Sequence, residues 1–127
     1  MKITVIGAGY VGLSLSVLLS CKYSVIVYDI DNEKIKLLKK NISPIEDKYI
    51  NDYLKKKSLR LTATSKKEIA YKNCDFFIVA TPTDYDKKTN SFNTKAVEQV
   101  IRKIILKTKN PKIFIKSTIP LGFTLEL

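Results

Sequence analysis

Ile3-Thr4-Val5-Ile6 leads into Gly7-Ala8-Gly9-Tyr10-Val11-Gly12, and an apolar stretch from Val11 to Leu19 follows before Val25-Ile26-Val27-Tyr28 ends at Asp29. Strand, glycine turn, helix, strand and acid in that order form a βαβ unit of the kind that holds a dinucleotide. Gly7 lets the chain turn sharply out of the first strand, Gly9 lets backbone approach a pyrophosphate, and Gly12 lets the helix lie tight against the strands. The helix then starts with free N–H groups and its positive dipole end toward the phosphates. Asp29, at the tip of the second strand, is placed to hydrogen-bond the adenosine ribose hydroxyls and to repel a 2′-phosphate, so NAD is expected rather than NADP. A bare G-x-G-x-x-G also occurs in plain strand-to-helix turns. Here the flanking strands, the helix and the acid all fall where a nucleotide fold needs them.

The same stretch has the outline of a bacterial secretory signal, with Lys2, an apolar run and Leu18-Leu19-Ser20-Cys21. Glycines at dinucleotide spacing, a single early positive charge and direct continuation into another apolar strand argue against it. The 127 residues suffice for one domain with a real core. Cys21 and Cys74 have neither C-x-x-C nor metal-ligand spacing and histidine is absent, so no metal site is expected and both are read as buried thiols in a reducing cytoplasm. No apolar run reaches the roughly 20 residues of a spanning helix, so no membrane partner is expected. The net charge of +11 raises nucleic acid as a partner. The lysines are scattered over predicted helices and loops without interleaved aromatics, which fits a solvated basic surface that attracts anionic nucleotides, and no nucleic-acid partner is expected.

Downstream, Asp31 is expected to cap a helix carrying Ile35, Leu37 and Leu38. Lys34, in its first turn, is either a solvated surface lysine or a contact to the adenosine side of the cofactor. Ser43-Pro44-Ile45-Glu46 reads as a capping box opening a helix from about Pro44 to Lys57, with Ile45, Tyr49, Ile50, Tyr53 and Leu54 on its buried face. Leu59, Leu61 and Ala63 alternate as a short strand. Ser65 and Glu68 repeat the capping pattern, so a short helix is expected over Lys66 to Lys72. Cys74 to Ala80 follows as a strand apolar on both faces, suited to the centre of a parallel sheet.

The polar loop Thr81-Pro82-Thr83-Asp84-Tyr85-Asp86 leaves the carboxyl end of that strand, where open parallel sheets bind ligands. Thr81 and Thr83 are either turn residues or, Thr83 above all, ligand contacts. Asn93 or Thr94 opens a helix carrying Val97, Val100, Ile101, Ile104 and Ile105, ended by Asn110-Pro111. Ile113-Phe114-Ile115 is then a fifth buried strand. It delivers Lys116-Ser117-Thr118-Ile119-Pro120 to the ligand edge, with Thr118 on the nicotinamide side. The alternation predicts an α/β fold, a doubly wound parallel sheet of Rossmann type with strand order 3-2-1-4-5, and a further helix under way beyond Pro120.

With these motifs in place the chain resembles the N-terminal NAD-binding domain of the UDP-glucose/GDP-mannose dehydrogenase family, and UDP-glucose 6-dehydrogenase in particular. The likeness rests on Gly7 to Ser14, Ser43-Pro44-Ile45, Ala80 to Asp86 and Lys116 to Thr124; the Thr-Pro-Thr and Ser-Thr-Ile-Pro segments are its most diagnostic parts. It implies a cytoplasmic enzyme, homodimeric at full length, that oxidises UDP-glucose to UDP-glucuronate with two NAD⁺ for surface polysaccharide synthesis. By position it implies that the glycine loop, with Gly7, Gly9, Tyr10, Val11 and Gly12, holds the pyrophosphate. Asp29 would hold the ribose, Lys34, Thr83 and Thr118 would complete the cofactor site, and Thr118 would help order a catalytic water. The family's nucleophilic cysteine, general base and UDP-sugar contacts lie beyond Leu127. Residues 1–127 are therefore expected to be the N-terminal portion of a longer enzyme, binding NAD weakly and catalysing nothing alone. The rival readings are a non-catalytic NAD-binding module from a truncated gene, a UDP-N-acetylmannosamine or GDP-mannose dehydrogenase, and a basic nucleic-acid-binding domain.

Overall fold

The computed structural model describes every residue except Lys57, Asp84, Leu121 and Leu127, and every side chain except also those of Lys56, Ser91, Phe92 and Glu126. Five strands, β1 (Lys2–Ile6), β2 (Ser24–Tyr28), β3 (Leu61–Thr64), β4 (Phe76–Val79) and β7 (Lys112–Ile115), form one sheet in the order β3-β2-β1-β4-β7. All four pairings are parallel, with Ile3 opposite Val25 on one side and Phe76 on the other. This is the expected 3-2-1-4-5 order. The chain winds outward from β1 to β3, then crosses back to β4 on the other side of β1. That reversal opens a crevice above the carboxyl ends of β1 and β4, the place where doubly wound sheets bind ligands.

Helices α1 (Tyr10–Ser20), α2 (Asn32–Lys39) and α3 (Lys48–Lys56) supply one side of the sheet, where Leu13, Val17, Ile35, Leu38, Ile50 and Leu54 join Val27 in one core. Helices α4 (Lys67–Ala70), α5 (Lys95–Lys107) and α6 (Phe123–Glu126) belong to a second core, in which Ala70, Val97, Ile101, Ile104 and Phe123 pack with Ile6, Phe77 and Val79. A central strand covered on both faces must be apolar on both, and Val5, Phe77 and Val79 are fully buried. Thr4 is the polar exception, and its hydroxyl donates to the Ala70 carbonyl at 2.6 Å, which ties the end of α4 to the middle of β1.

Several local expectations are corrected. Asp31 does cap α2, accepting from the Glu33 and Lys34 N–H groups. Ser43 does not cap α3: its hydroxyl is engaged within the turn by Ile45, and Pro44 lies outside the helix. Asp47 takes the cap instead, accepting from Ile50 N–H at 3.0 Å, so the helix opens at Lys48; its expected last residue, Lys57, lies outside the described residues. Among the described residues of α3, Ile50 and Leu54 are buried, while Tyr49 is 76% exposed and Tyr53 37%. Helix α4 is only Lys67–Ala70, with Lys66 at its start and no side-chain cap. The Ser65 and Glu68 pattern fails: Lys66 and not Ser65 stands at the cap position, and its N–H donates to Thr64 Oγ1.

The β4 strand is shorter than expected, and β7 is half-buried: Ile113 and Ile115 pack inward, but Phe114 is 54% exposed on this edge strand. The loop after β4 contains an unanticipated hairpin, β5 (Tyr85–Asp86) antiparallel to β6 (Ser91–Phe92), around Asn90 at φ +51°. Cys21 is free and exposed at the end of α1 and Cys74 is half-buried, so the expectation of two buried thiols fails for Cys21. Among the described residues no helix is long and apolar enough to cross a membrane.

Two features of the core give measurable consequences. A Cβ on Gly12 would stand 1.9 Å from the Gly7 carbonyl oxygen, a clash with backbone that no rotamer change relieves. Gly12→Ala is expected to lower the unfolding free energy by about 1–3 kcal/mol in urea titrations, the usual range for overpacking. Tyr28, Tyr71 and Phe77 stack in series with ring centroids 6.0 Å apart. Burial, and then the neighbouring Tyr28, push the Tyr71 phenol from 10.0 up to about 12. Its folded pKa is raised, so the associated stability is complete below the unfolded pKa and is lost as pH rises through the folded one. Urea midpoints from about pH 9 to about pH 12 should fall more steeply for the native chain than for Tyr71→Phe; parallel slopes would contradict the assignment.

Candidate dinucleotide site

At the crevice the glycine loop is pressed between β1 and β4. Gly7 has φ +109°, and a Cβ there would lie 2.5 Å from the Ala80 carbonyl oxygen, so this position needs glycine both for its conformation and for space. Gly9 differs: it is the N-cap of α1 with an ordinary φ of −80°, and nothing stands within 4 Å of where its Cβ would be. Open space beside backbone of this kind is what close approach of a ligand would require. No side chain caps α1 and no acid occupies its first turn. Its first intrahelical bond runs from Leu13 N–H to Gly9 carbonyl at 2.9 Å. The N–H groups of Tyr10, Val11 and Gly12 thus form the free positive end of an 11-residue helix, suited to phosphate oxygens.

Asp29 sits half-buried at the tip of β2 with both carboxylate oxygens engaged. Oδ2 accepts from Ala8 N–H at 2.8 Å, and Oδ1 accepts from Asp31 N–H at 2.8 Å. Gly7 N–H donates to the Tyr28 carbonyl at 2.8 Å, so the loop is tied to β2 twice. A carboxylate has about four lone-pair sites, so each oxygen retains capacity for a sugar hydroxyl.

A cleft of about 240 Å³ opens beside these groups, walled by Gly7, Asp29, Ile30, Thr81, Pro82 and the Gln99–Lys103 side of α5, with Tyr28 and Tyr71 also lining it. Burial, then Asp29 and then Glu68, raise the Tyr28 pKa, so the phenol stays neutral. Across the cleft from Asp29, the Lys103 ammonium is lowered from its usual range by partial burial first and by Lys67 and Lys107 next. One wall is therefore acidic, one basic, and the remainder largely apolar or aromatic, a combination suited to a nucleoside.

The structure places Gly7 and Asp29 on the wall of this cleft, Gly9 at the N-cap of α1, and Tyr10, Val11 and Gly12 in its first turn. Lys34 is half-buried on the first turn of α2, close in sequence to the Asp31 cap, and does not line the cleft. Thr83 is half-buried after β4 and Thr118 exposed after β7; neither lines this cleft, and Asp84 between the β4 threonines and the hairpin lies outside the described residues. Their two loops are joined at the roots, where Ser117 Oγ donates to the Thr81 carbonyl at 2.7 Å and Lys116 N–H donates to the Val79 carbonyl at 2.7 Å. Sequence reasoning missed Ile30, Gln99 and Lys103. Ile30 carried a signal, since an apolar residue 81% exposed directly after Asp29 is positioned as a wall. Gln99 and Lys103 carried none, because on a helix they read as ordinary solvent-facing residues.

The comparisons with known proteins agree with this geometry. The family described as "UDP-glucose/GDP-mannose dehydrogenase family, NAD binding domain" matches residues 1–127. The UDP-glucose 6-dehydrogenase of Campylobacter jejuni is 41% identical over 126 residues, covering 98% of this chain and 32% of that protein. The UDP-glucose 6-dehydrogenase of Streptococcus pneumoniae is 42% identical over 127 residues, covering 100% of this chain and 32% of that protein. The chain thus spans about a third of the length of these curated relatives. Among solved structures, a UDP-D-ManNAc dehydrogenase from Pyrococcus horikoshii superposes with TM-score 0.89 at 28% identity, over 99% of this chain and 30% of the other. A GDP-mannose dehydrogenase from Pseudomonas aeruginosa gives TM-score 0.86 at 25% identity, over 98% of this chain and 30% of the other. The glycine cradle, the carboxylate at the tip of β2 and the match along the whole chain lead to one conclusion: the chain belongs to the UDP-glucose/GDP-mannose dehydrogenase family, as its NAD-binding domain.

Proposed function

We propose that this domain presents NAD⁺ to UDP-glucose within a longer dehydrogenase that makes UDP-glucuronate. The observation that carries the reading is the open space at Gly9 directly before an uncapped helix start, with Asp29 bound to the same loop. The cofactor supplies the hydride acceptor when bound. The chain's own residues bind and orient it. Backbone N–H groups of Tyr10, Val11 and Gly12 take the pyrophosphate, and Asp29 uses its remaining lone pairs for the adenosine ribose. Lys34 supports the adenosine side from α2, while Thr83 and Thr118 stand at the strand ends toward the nicotinamide, where Thr118 helps hold a water near the reacting carbon. UDP-glucose is favoured as the substrate because the relatives at 41% and 42% identity are UDP-glucose 6-dehydrogenases.

Calorimetry on this chain is expected to show binding of NAD⁺, NADP⁺ binding at least about tenfold weaker through repulsion at Asp29, and no heat with UDP-glucose. Asp29→Ala should abolish that preference and also destabilise the ligand-free chain by about 1–3 kcal/mol, because the Ala8 and Asp31 N–H groups lose their acceptor. Gly9→Ala should separate the two effects, changing ligand-free stability by less than about 1 kcal/mol while weakening NAD⁺ about tenfold or more. Equal affinity for NAD⁺ and NADP⁺ in the native chain would contradict the role given to Asp29. A longer protein containing this chain should release two NADH per UDP-glucose consumed; turnover confined to UDP-N-acetylmannosamine or GDP-mannose would move the substrate to a relative.

A further inference from the structure

Helices α4 and α5 bring Lys67, Lys103 and Lys107 together at the rim of the cleft. Lys103 is half-buried and lines the cleft itself. Lys107 follows one helical turn later on α5, and its Nζ stands 5.9 Å from the centre of the Tyr71 ring, which is also part of the cleft wall. Lys67, the first residue of α4, comes within hydrogen-bonding reach of the Lys103 side chain. Lys67 and Lys107 are exposed, so an ion from solvent has access to the group.

Such crowding opposes folding. An ammonium has donors and no acceptor, so Lys67 and Lys103 cannot satisfy each other while both are charged. Lysines one turn apart on a helix also repel. Partial burial, then Lys67 and then Lys107, lower the Lys103 ammonium from its usual range. No carboxylate relieves the group: among the described residues the ion pair formed is Lys36–Glu33, on α2. The acids of the two helices act elsewhere, Glu98 accepting from Thr94 Oγ1 at 3.3 Å and Glu68 lying near enough to Tyr28 to raise its pKa. Asp29, on the opposite wall, already holds the Ala8 and Asp31 N–H groups.

We propose that Lys67, Lys103 and Lys107 form a second anion site, distinct from the helix start at Gly9, which takes a phosphoryl group at the rim between α4 and α5. A phosphoryl group brings nearly two negative charges and three strong acceptor oxygens. One oxygen between Lys67 and Lys103 supplies the acceptor that both lack, and another faces Lys107. The site stands independently of the dinucleotide reading, since neither the glycine loop nor Asp29 contributes to it.

The test follows amide shifts by NMR, and thermal unfolding, as inorganic phosphate or glycerol 3-phosphate replaces chloride at constant ionic strength without NAD⁺. In the native chain the N–H resonances of Lys67, Tyr71, Lys103 and Lys107 should move along one saturating curve, and the melting temperature should rise with it. Lys67→Gln and Lys107→Gln should each weaken that binding by about three- to tenfold. Neither should lower the anion-free melting temperature, because each removes a like-charged neighbour. Lys55→Gln, on α3, should leave the affinity within about twofold. Tighter binding of glycerol 3-phosphate than of inorganic phosphate assigns the site to a phosphate monoester, and the reverse order assigns it to the free ion. Shifts confined to Tyr10, Val11 and Gly12, a response that does not saturate, or equal effects of Lys55→Gln and Lys67→Gln would overturn the assignment.

Discussion

The structure depends on a contact between backbones. Where α1 leaves β1, the Gly7 carbonyl, the Gly12 Cα and the Ala80 carbonyl come so close that a methyl group at either glycine would overlap main-chain atoms. A side chain can rotate away from a clash, but a strand and a helix cannot, so this approach fixes the position of α1 on the sheet. The free N–H groups of its first turn then stand at the point where strand order reverses between β1 and β4. Gly9, between these two close contacts in the sequence, is left with open space instead. Gly7 and Gly12 thus close the packing, and Gly9 leaves open space at the start of α1.

Asp29 is the second constraint and is organised by the first. Its carboxylate joins the glycine loop through Ala8 to the start of α2 through Asp31. The group expected to read the ribose therefore also holds the phosphate cradle in register with the tip of β2. In a chain of net charge +11 such an acid would disfavour a second phosphate on the ribose, while the many lysines favour anions in general. The Lys36–Glu33 pair on α2 is exposed, 68% and 81%, and pairs of that kind add little to stability. The apolar cores and the parallel ladders hold the fold.

The sheet order, the glycine cradle and the tip acid were legible because each is dictated by backbone sterics at fixed spacing. Caps were less so. Ser43 and Ser65 had the right spacing to Glu46 and Glu68, but Asp47 took the cap of α3 and α4 has no side-chain cap, so spacing alone does not decide which residue stands at a helix start. Burial of β7 was overestimated, since Ile113-Phe114-Ile115 looks the same whether one face is covered or two. The far wall of the cleft was illegible for a related reason. Gln99 and Lys103 reach the cleft only through the handedness of the crossover that carries α5, and nothing local marks them. Thr81 and Thr83 are equivalent as letters, and the fold places the first of them and not the second along the cleft.

On the proposed reading, ligand binding is directed by the helix start at the strand reversal and not by a roomier hollow elsewhere in the molecule. A hollow of about 510 Å³ lies between α2, α3 and β3, lined by Leu38, Lys39, Lys55 and Leu61, and it contains neither a helix N-terminus nor Asp29. Amide chemical shifts followed by NMR during a titration with NAD⁺ discriminate between the two directly. The account predicts that the N–H resonances of Ala8 to Gly12, Asp29 and Thr81 move together along one binding curve while those of Lys39 and Lys55 stay still. Shifts concentrated at Leu38, Lys39, Lys55 and Leu61, with the glycine loop unmoved, would contradict it.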